Sequence, residues 1–145
     1  MDKARQAVID NLNNVLTGEN MAIKTYERFL KKLPESIEKA QLVEFYKDHQ
    51  RHAKELTDRV QQLGGRPSKG VGVIGIMAVN RIKLQTMLVP DLKDIIQNLC
   101  HGEKMGITVT QEMVKGDLDA TSLELVKDIL AQDLKHVEKL ETMLH

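Results

Sequence analysis

Three ionisable residues in the first half of this chain recur in its second half at one constant spacing. Paired across 84 positions (19 to 103, 49 to 133 and 52 to 136), they are Glu19 with Glu103, His49 with Asp133, and His52 with His136. Each interrupts a series of apolar residues spaced three and four apart, so each lies on the core-facing side of a predicted helix. Ionisable groups are rarely buried unless they are paired or bind a metal. The repeat therefore predicts a buried polar cluster between two helical hairpins.

Length and composition favour one all-α domain over residues 1–145. The chain is long enough for a hydrophobic core, and its Leu, Lys, Glu and Gln content with only three prolines favours helices. Aromatic residues make up 3% and tryptophan is absent, so the core must be mainly aliphatic. The 21 basic and 21 acidic side chains balance, so no excess of positive charge indicates nucleic acid or an anionic membrane as a partner.

Helix-stop signals divide the first hairpin, residues 2–63, into two helices. The apolar series predicts a first helix that runs to about Leu33. Pro34 ends it, because proline pushes the preceding residue out of helical backbone. A second helix is expected from an N-cap at Ser36 to about Leu63.

A long crossover, residues 64–90, connects this hairpin to a second one over residues 91–145. The crossover begins as a loop, and the apolar residues of its later part, 76–88, allow a short extra helix. Thr121 and Ser122 are the N-cap candidates of the last helix.

Cysteine content and hydropathy indicate a soluble cytoplasmic protein. The single Cys100 excludes an intramolecular disulfide and fits a reducing compartment. No basic segment followed by an apolar run opens the sequence, so no signal peptide is expected. The most apolar stretch carries Asn80, Arg81 and Lys83, which argues against a transmembrane span. Zero net charge gives little repulsion between copies, so a homo-oligomer, for example a dimer, is compatible with the sequence.

The spacing within each hairpin is suited to metal binding. The pairs His49/His52 and Asp133/His136 are three residues apart, and side chains at that spacing leave a helix on the same face. One member of a pair can then lie between two ions while the histidine binds one. Carboxylates and imidazoles suit iron, manganese and zinc.

The chain resembles the ferritin-like, rubrerythrin-like superfamily over nearly its whole length. Glu19 and Glu103 stand where that superfamily has the single Glu of its first and third helices. The two three-residue pairs stand where it has Glu-x-x-His. Within the superfamily, the chain is most similar to an uncharacterised bacterial four-helix-bundle group, in the Gly-Glu-x-x-Ala-x-x-x-Tyr run at 18–26 and the Leu-Gly-Gly-x-Pro run at 63–67. The resemblance implies a ferritin-like four-helix bundle with a long crossover and an iron site that holds two ions.

The chain departs from the superfamily pattern at two positions. His49 replaces one bridging carboxylate, and Asp133 shortens the other. A neutral imidazole does not ordinarily bridge two metals, so a single ion, or two ions held more weakly, is an open alternative. Asp48 and Glu55, near the boundary of the helix, are candidates to supplement the site. No Cys-x-x-Cys pair is present, so a redox cycle needs an external electron donor.

Three functional hypotheses follow. The first is a di-iron-type protein, metal-bound through the six residues, that reduces peroxide or oxygen while oxidising ferrous iron. The second is a metal-free bundle, structural or stress-related, with a buried carboxylate–histidine network. The third is iron storage, which needs a cage with an acidic interior that this neutral sequence does not indicate. Tyr26 and Tyr46 are expected on core faces near the cluster, each bonded to a carboxylate.

Overall fold

The computed structural model describes residues 2–70 and 91–145, and within them the chain forms four long helices. They are α1 (Lys3–Leu30), α2 (Ile37–Gln62), α3 (Leu92–Lys115) and α4 (Ala120–Met143). α1 packs on α2 and α3 on α4, while contacts of α1 with α3 and of α2 with α4 join the two hairpins. The predicted all-α four-helix bundle is confirmed. The extra helix expected at 76–88 lies outside the described residues.

Each helix begins at a side chain that caps its first turn. A carboxylate or hydroxyl accepts a hydrogen bond from the backbone N–H three residues on, which satisfies one of the free amides of the helix start. The four caps are Asp2, Ser36, Asp91 and Asp119. The prediction of Ser36 is confirmed. Thr121 and Ser122 were wrong as caps, because Asp119 takes that place and also contacts Arg59 of α2 at 2.5 Å.

The helix ends also differ slightly from the prediction. α1 ends at Leu30 rather than Leu33, since the amides of Lys32 and Leu33 bond to carbonyls only three residues back and form a tighter turn before Pro34. α2 ends within one residue of its predicted end, and Gly64 follows with a φ of 83°. That left-handed backbone favours glycine and stops the helix.

Among the described residues, two apolar clusters fill the two ends of the bundle. One includes Tyr26, Phe29 and Phe45 with Ile and Leu from α3. The other is built from aliphatic residues such as Leu12 and Val60. In α1, α2 and α4 the buried ionisable residues lie along the chain between residues of these two clusters. Burial of apolar surface at both ends therefore stabilises a bundle that carries a polar layer in its middle. No helix among the described residues is long and apolar enough to cross a membrane.

Candidate metal centre

The structure brings all six predicted polar residues into one buried cluster. α1 and α3 supply one glutamate each, α2 supplies two histidines, and α4 supplies an aspartate and a histidine. Their exposed fractions are 4% for Glu19, 2% for His49, 1% for His52, 6% for Glu103, 4% for Asp133 and 2% for His136. Because the helical repeat turns each of these side chains inward, the spacing in the sequence was sufficient to find them.

The cluster divides into two overlapping groups of four donors. One contains Glu19, His49, His52 and Asp133, and the other contains His49, Glu103, Asp133 and His136. In each group the ligand atoms lie within 4.8 Å of one another. We call these groups the Glu19 position and the Glu103 position. Exchanging each residue for its partner in the repeat converts the first group into the second, and two residues, His49 and Asp133, belong to both.

His49 lies between the two glutamates. Its Nδ1 is 2.5 Å from Oε2 of Glu19 and its Nε2 is 2.5 Å from Oε1 of Glu103. Burial lowers the pKa of His49, but the charges of Glu103 and Glu19 and their hydrogen bonds raise it well above its ordinary value. Both ring nitrogens then donate, and the ring is an imidazolium.

The two glutamates are ionised for the same reason. Burial raises the pKa of Glu19, yet the charge and hydrogen bond of His49 outweigh burial and lower the pKa to about 2. In Glu103, burial is likewise outweighed by the charge of His49 and the hydrogen bonds of His136 and His49, and the pKa falls to about 2. Tyr26 also donates to Oε1 of Glu103 at 2.9 Å, and burial together with the charge of Glu103 raises the pKa of Tyr26.

Asp133 differs from the glutamates. Burial and the charge of Glu19 raise the pKa of Asp133 to about 9, although the charge of His49 acts against them. The carboxyl group is therefore protonated at neutral pH. Among the described residues, Oδ1 of Asp133 and Nδ1 of His52 are buried without a hydrogen-bond partner. The Nδ1 atom is 3.7 Å from Oδ1 of Asp133 and 3.5 Å from Oε2 of Glu19.

Each of the two outer histidines, His52 and His136, has a hydrogen-bond acceptor on the side away from the cluster. His52 Nε2 is 2.8 Å from Oε1 of Gln132, and His136 Nε2 is 2.8 Å from Oδ2 of Asp48. In each ring Nε2 is engaged by this acceptor, so Nδ1 is the nitrogen that faces the cluster, and Nδ1 of His136 lies 3.3 Å from Oε1 of Glu103. A hydrogen bond such as that at Nε2 commonly fixes the orientation of a metal-binding histidine.

Gln132 was not predicted, and Asp48, predicted near the helix boundary as a supplement to the site, contacts His136 from outside the cluster. Both lie one residue before a cluster residue, at 48 and 132, which is the spacing of the repeat. That spacing was the available signal. Glu55 is exposed and lies 3.5 Å from Arg51 instead of joining the cluster.

The two tyrosines have different surroundings. Tyr26 is buried against Glu103, as predicted. Tyr46 is only partly buried, and its hydroxyl donates to Oε1 of Glu27 at 3.0 Å. Tyr46 is therefore bonded to a carboxylate, but away from the polar cluster.

A small cavity borders the cluster between α1 and α3. Its volume is about 40 Å³, and its lining includes the carboxylates together with Gly18, Gly102 and Gly106. A Cβ atom added at any of these three glycines would meet no atom within 4 Å among the described residues. The cavity has room for a water-sized molecule beside the carboxylates.

The residues present fit a metal site. They offer three carboxylates and three imidazoles, the oxygen and nitrogen donors that iron, manganese and zinc accept. The unpartnered atoms of His52 and Asp133 face each other across the Glu19 position. A cation between them would satisfy both atoms, whose burial without a partner is otherwise unfavourable.

Comparison with known proteins gives a consistent picture. A family model described as a domain of unknown function, DUF2383, matches residues 7–116. Over 143 residues the chain is 32% identical to a bacterioferritin of Mycobacterium bovis, covering 94% of this chain and 83% of the relative.

Solved structures show the same fold at lower identity. A ferritin-like di-iron-carboxylate protein of Bacillus anthracis aligns over 100% of both chains with a TM-score of 0.71 and 22% identity. A dodecameric thioferritin, a bacterioferritin-related protein of Bacteroides fragilis, aligns over 99% of this chain and 86% of that chain, with a TM-score of 0.74 and 21% identity. These structures match the bundle described above.

Proposed function

Because the chain belongs to the DUF2383 family, a group within the ferritin-like superfamily, we propose that it is a non-haem iron-binding protein with two ions when full. Manganese or zinc are the other metals that its donors suit. One observation carries the proposal. The sequence repeat produces two buried groups of four donors, each compact enough for one ion, that share His49 and Asp133.

Each residue has a role in this proposal. Glu19 and His52 would hold an ion at one position, and Glu103 and His136 would hold an ion at the other. Asp133, which belongs to both groups, would be a ligand for either position after losing its proton. His49 faces both positions, but a neutral imidazole has one lone pair. It would bind one ion and donate its remaining N–H to the glutamate of the other position.

Bound iron would supply the electron transfer by which peroxide or oxygen is reduced while ferrous iron is oxidised. The chain would contribute the carboxylates that stabilise ferric iron, the apolar ends that exclude water, and the cavity beside Gly102 that admits a small molecule. An external electron donor would complete a peroxidase cycle. The relatives named bacterioferritin and di-iron-carboxylate protein support iron over the other metals.

Location and assembly belong to the same proposal. The single, buried Cys100 supports a cytoplasmic location. A dimer is the assembly we propose, whereas iron storage would require a shell of many subunits, as the name of the dodecameric thioferritin illustrates for that protein. The native mass in solution distinguishes these assemblies, and a shell of many subunits would overturn the dimer.

The second candidate function is a metal-free structural or stress-related interaction protein. The geometry of His49 favours it, because one imidazolium between Glu19 and Glu103 already forms a paired network without metal. Buried pairs of this kind are retained in some proteins for conformational specificity.

Elemental analysis before and after anaerobic loading with ferrous iron separates the two candidates. Under the iron proposal the loaded protein contains about two irons per chain, and a ferric absorbance band appears when oxygen is admitted. Glu19→Ala and Glu103→Ala should each reduce the iron content, whereas Glu124→Ala, at an exposed position of α4, should not. Full iron content in both cluster variants, or no iron in the wild type, would contradict the proposal.

A further inference from the structure

A polar layer covers the two outer histidines on the side where α2 meets α4. Asp48 of α2 accepts the Nε2 hydrogen bond of His136, and Gln132 of α4 accepts that of His52, each at 2.8 Å. Each acceptor therefore reaches across to the histidine of the other hairpin. The two acceptors are equivalent positions of the repeat, but one is a carboxylate and the other an amide.

Arg51 joins the two acceptors. Its guanidinium donates to Oδ1 of Asp48 at 3.0 Å and to Oε1 of Gln132. An arginine can only donate, so the amide oxygen of Gln132 must face it. The same oxygen faces His52 Nε2, which must therefore carry the proton. Nδ1 of His52 is then the ring nitrogen that faces the cluster, where it has no hydrogen-bond partner among the described residues.

The group that accepts the Nε2 hydrogen bond is a carboxylate at the Glu103 position and a neutral amide at the Glu19 position. A carboxylate that accepts from Nε2 makes the imidazole a stronger donor to a cation at Nδ1 than a neutral amide does. Arg51 contacts both acceptors, so its positive charge does not remove the difference. Tyr26 donates to Glu103 and weakens that ligand, but a neutral phenol withdraws less charge than a carboxylate supplies.

We infer that the two metal positions are unequal and that Asp48 is the positioning residue that makes the Glu103 position the tighter one. This inference rests on the proposed function, since it needs both positions to accept a metal. A divalent cation then binds first at Glu103 and His136. The Glu19 position, served by His52 and Gln132, is filled second.

Anaerobic titration of the full chain with Zn²⁺ against a chromophoric chelator tests the order of filling. We expect two steps for the wild type. In Asp48→Asn the single amide oxygen can still accept from His136, with the NH2 group then facing Arg51, but the side chain carries no charge. The tighter step should weaken about 10–100-fold. Asp58→Asn, at an exposed position of the same helix, is the matched control and should leave both steps unchanged.

Gln132→Glu gives a test in which the expected result is tighter, not weaker, metal binding. A second carboxylate behind His52 should strengthen the weaker step, so that the two steps approach each other. A variant that binds metal more tightly cannot owe its behaviour to damaged folding. Urea midpoints of the metal-free proteins, measured in parallel, should change little in Asp48→Asn.

Variants that lack one of the two outer histidines show at which position Asp48 affects metal affinity. In His136→Ala the tighter step is lost, and adding Asp48→Asn should change nothing further. In His52→Ala the weaker step is lost, and Asp48→Asn should retain its full effect. The opposite assignment, or two equal steps in the wild type that Asp48→Asn leaves unchanged, overturns the inference while the proposed function stands. A wild type that binds no metal removes the proposed function itself.

Discussion

Nε2 of His49 lies 2.5 Å from Oε1 of Glu103, and this contact connects helices of different hairpins. Glu19 accepts from the other ring nitrogen at the same distance. One side chain of α2 thus holds a carboxylate of α1 and a carboxylate of α3. In the metal-free protein, the charge of this ring keeps two buried carboxylates compatible with the fold.

Replacing His49 with glutamine should strongly destabilise the metal-free protein. The substitution leaves Glu19 and Glu103 buried without a cation, and breaking a buried ion pair in this way costs about 3–5 kcal/mol. Urea unfolding measures the loss. His101→Gln, at an exposed position of α3, is the control and should change stability by less than about 0.5 kcal/mol. Equal stability of the two variants would show that His49 carries no such charge.

The stability of the metal-free protein should fall as pH rises from about 4 towards 9. The folded pKa of Asp133 is raised to about 9 from 3.8, so folding favours the protonated group and its contribution is lost as pH rises between these values. The raised pKa of His49 acts in the same direction, with its contribution fully present below about 6.5. Melting temperatures across this range check the prediction.

Asp133→Asn is the control for the predicted loss of stability as pH rises. Asparagine has nearly the shape of the protonated aspartic acid and does not titrate, so the slope of stability with pH should become shallower. A slope identical to that of the wild type would mean that Asp133 is ionised in the folded chain.

Below about pH 4.5, the stability of the metal-free protein should instead fall as pH falls. The pKa values of Glu19 and Glu103 are about 2 in the folded chain, against an ordinary value of 4.5. Their contribution is present above about 4.5 and is lost as pH falls towards 2. We therefore expect maximal stability of the metal-free protein near pH 4–5. A maximum above pH 7 in the same melting series would contradict the assigned charges.

Metal loading should stabilise the fold and release protons. A cation that replaces the protons of His49 and Asp133 links metal affinity to pH. At a free metal concentration 100 times Kd, one site contributes about 2.7 kcal/mol. Calorimetric titration with Zn²⁺ in buffers of different ionisation enthalpy measures the protons released. A melting temperature that neither zinc nor a chelator changes would favour the metal-free network.

Gly102→Ala should stabilise the protein by roughly 0.5–1 kcal/mol. Glycine disfavours a helix relative to alanine, and here the added Cβ meets no neighbour within 4 Å among the described residues. Gly65→Ala gives the contrasting case, because its Cβ would lie 2.7 Å from Cγ2 of Ile9. Thermal unfolding should therefore move in opposite directions for the two variants. A destabilised Gly102→Ala would show that the cavity wall is tighter than described.

The helical period explains why the cluster could be predicted and its surroundings could not. A residue such as Glu103 interrupts an apolar face, and the period alone places it in the core. The cap at Asp119 depends on a contact with Arg59 from another helix, which local sequence does not contain. Gln132 is also an ordinary half-exposed residue until α2 brings His52 within 2.8 Å of it. The ionisation of Asp133 likewise depends on neighbours from other helices.

The division of donors between the hairpins has a kinetic consequence. The first hairpin contains Glu19, His49 and His52 but lacks Asp133, and the second hairpin lacks His49. Neither hairpin alone can form a complete group of four. The nearest donors of different hairpins are 81 positions apart in the Glu19 group (52 to 133) and 54 apart in the Glu103 group (49 to 103), and such distant contacts form slowly. Metal uptake would therefore report the docking of two preformed hairpins, and the rate of docking would set its upper limit.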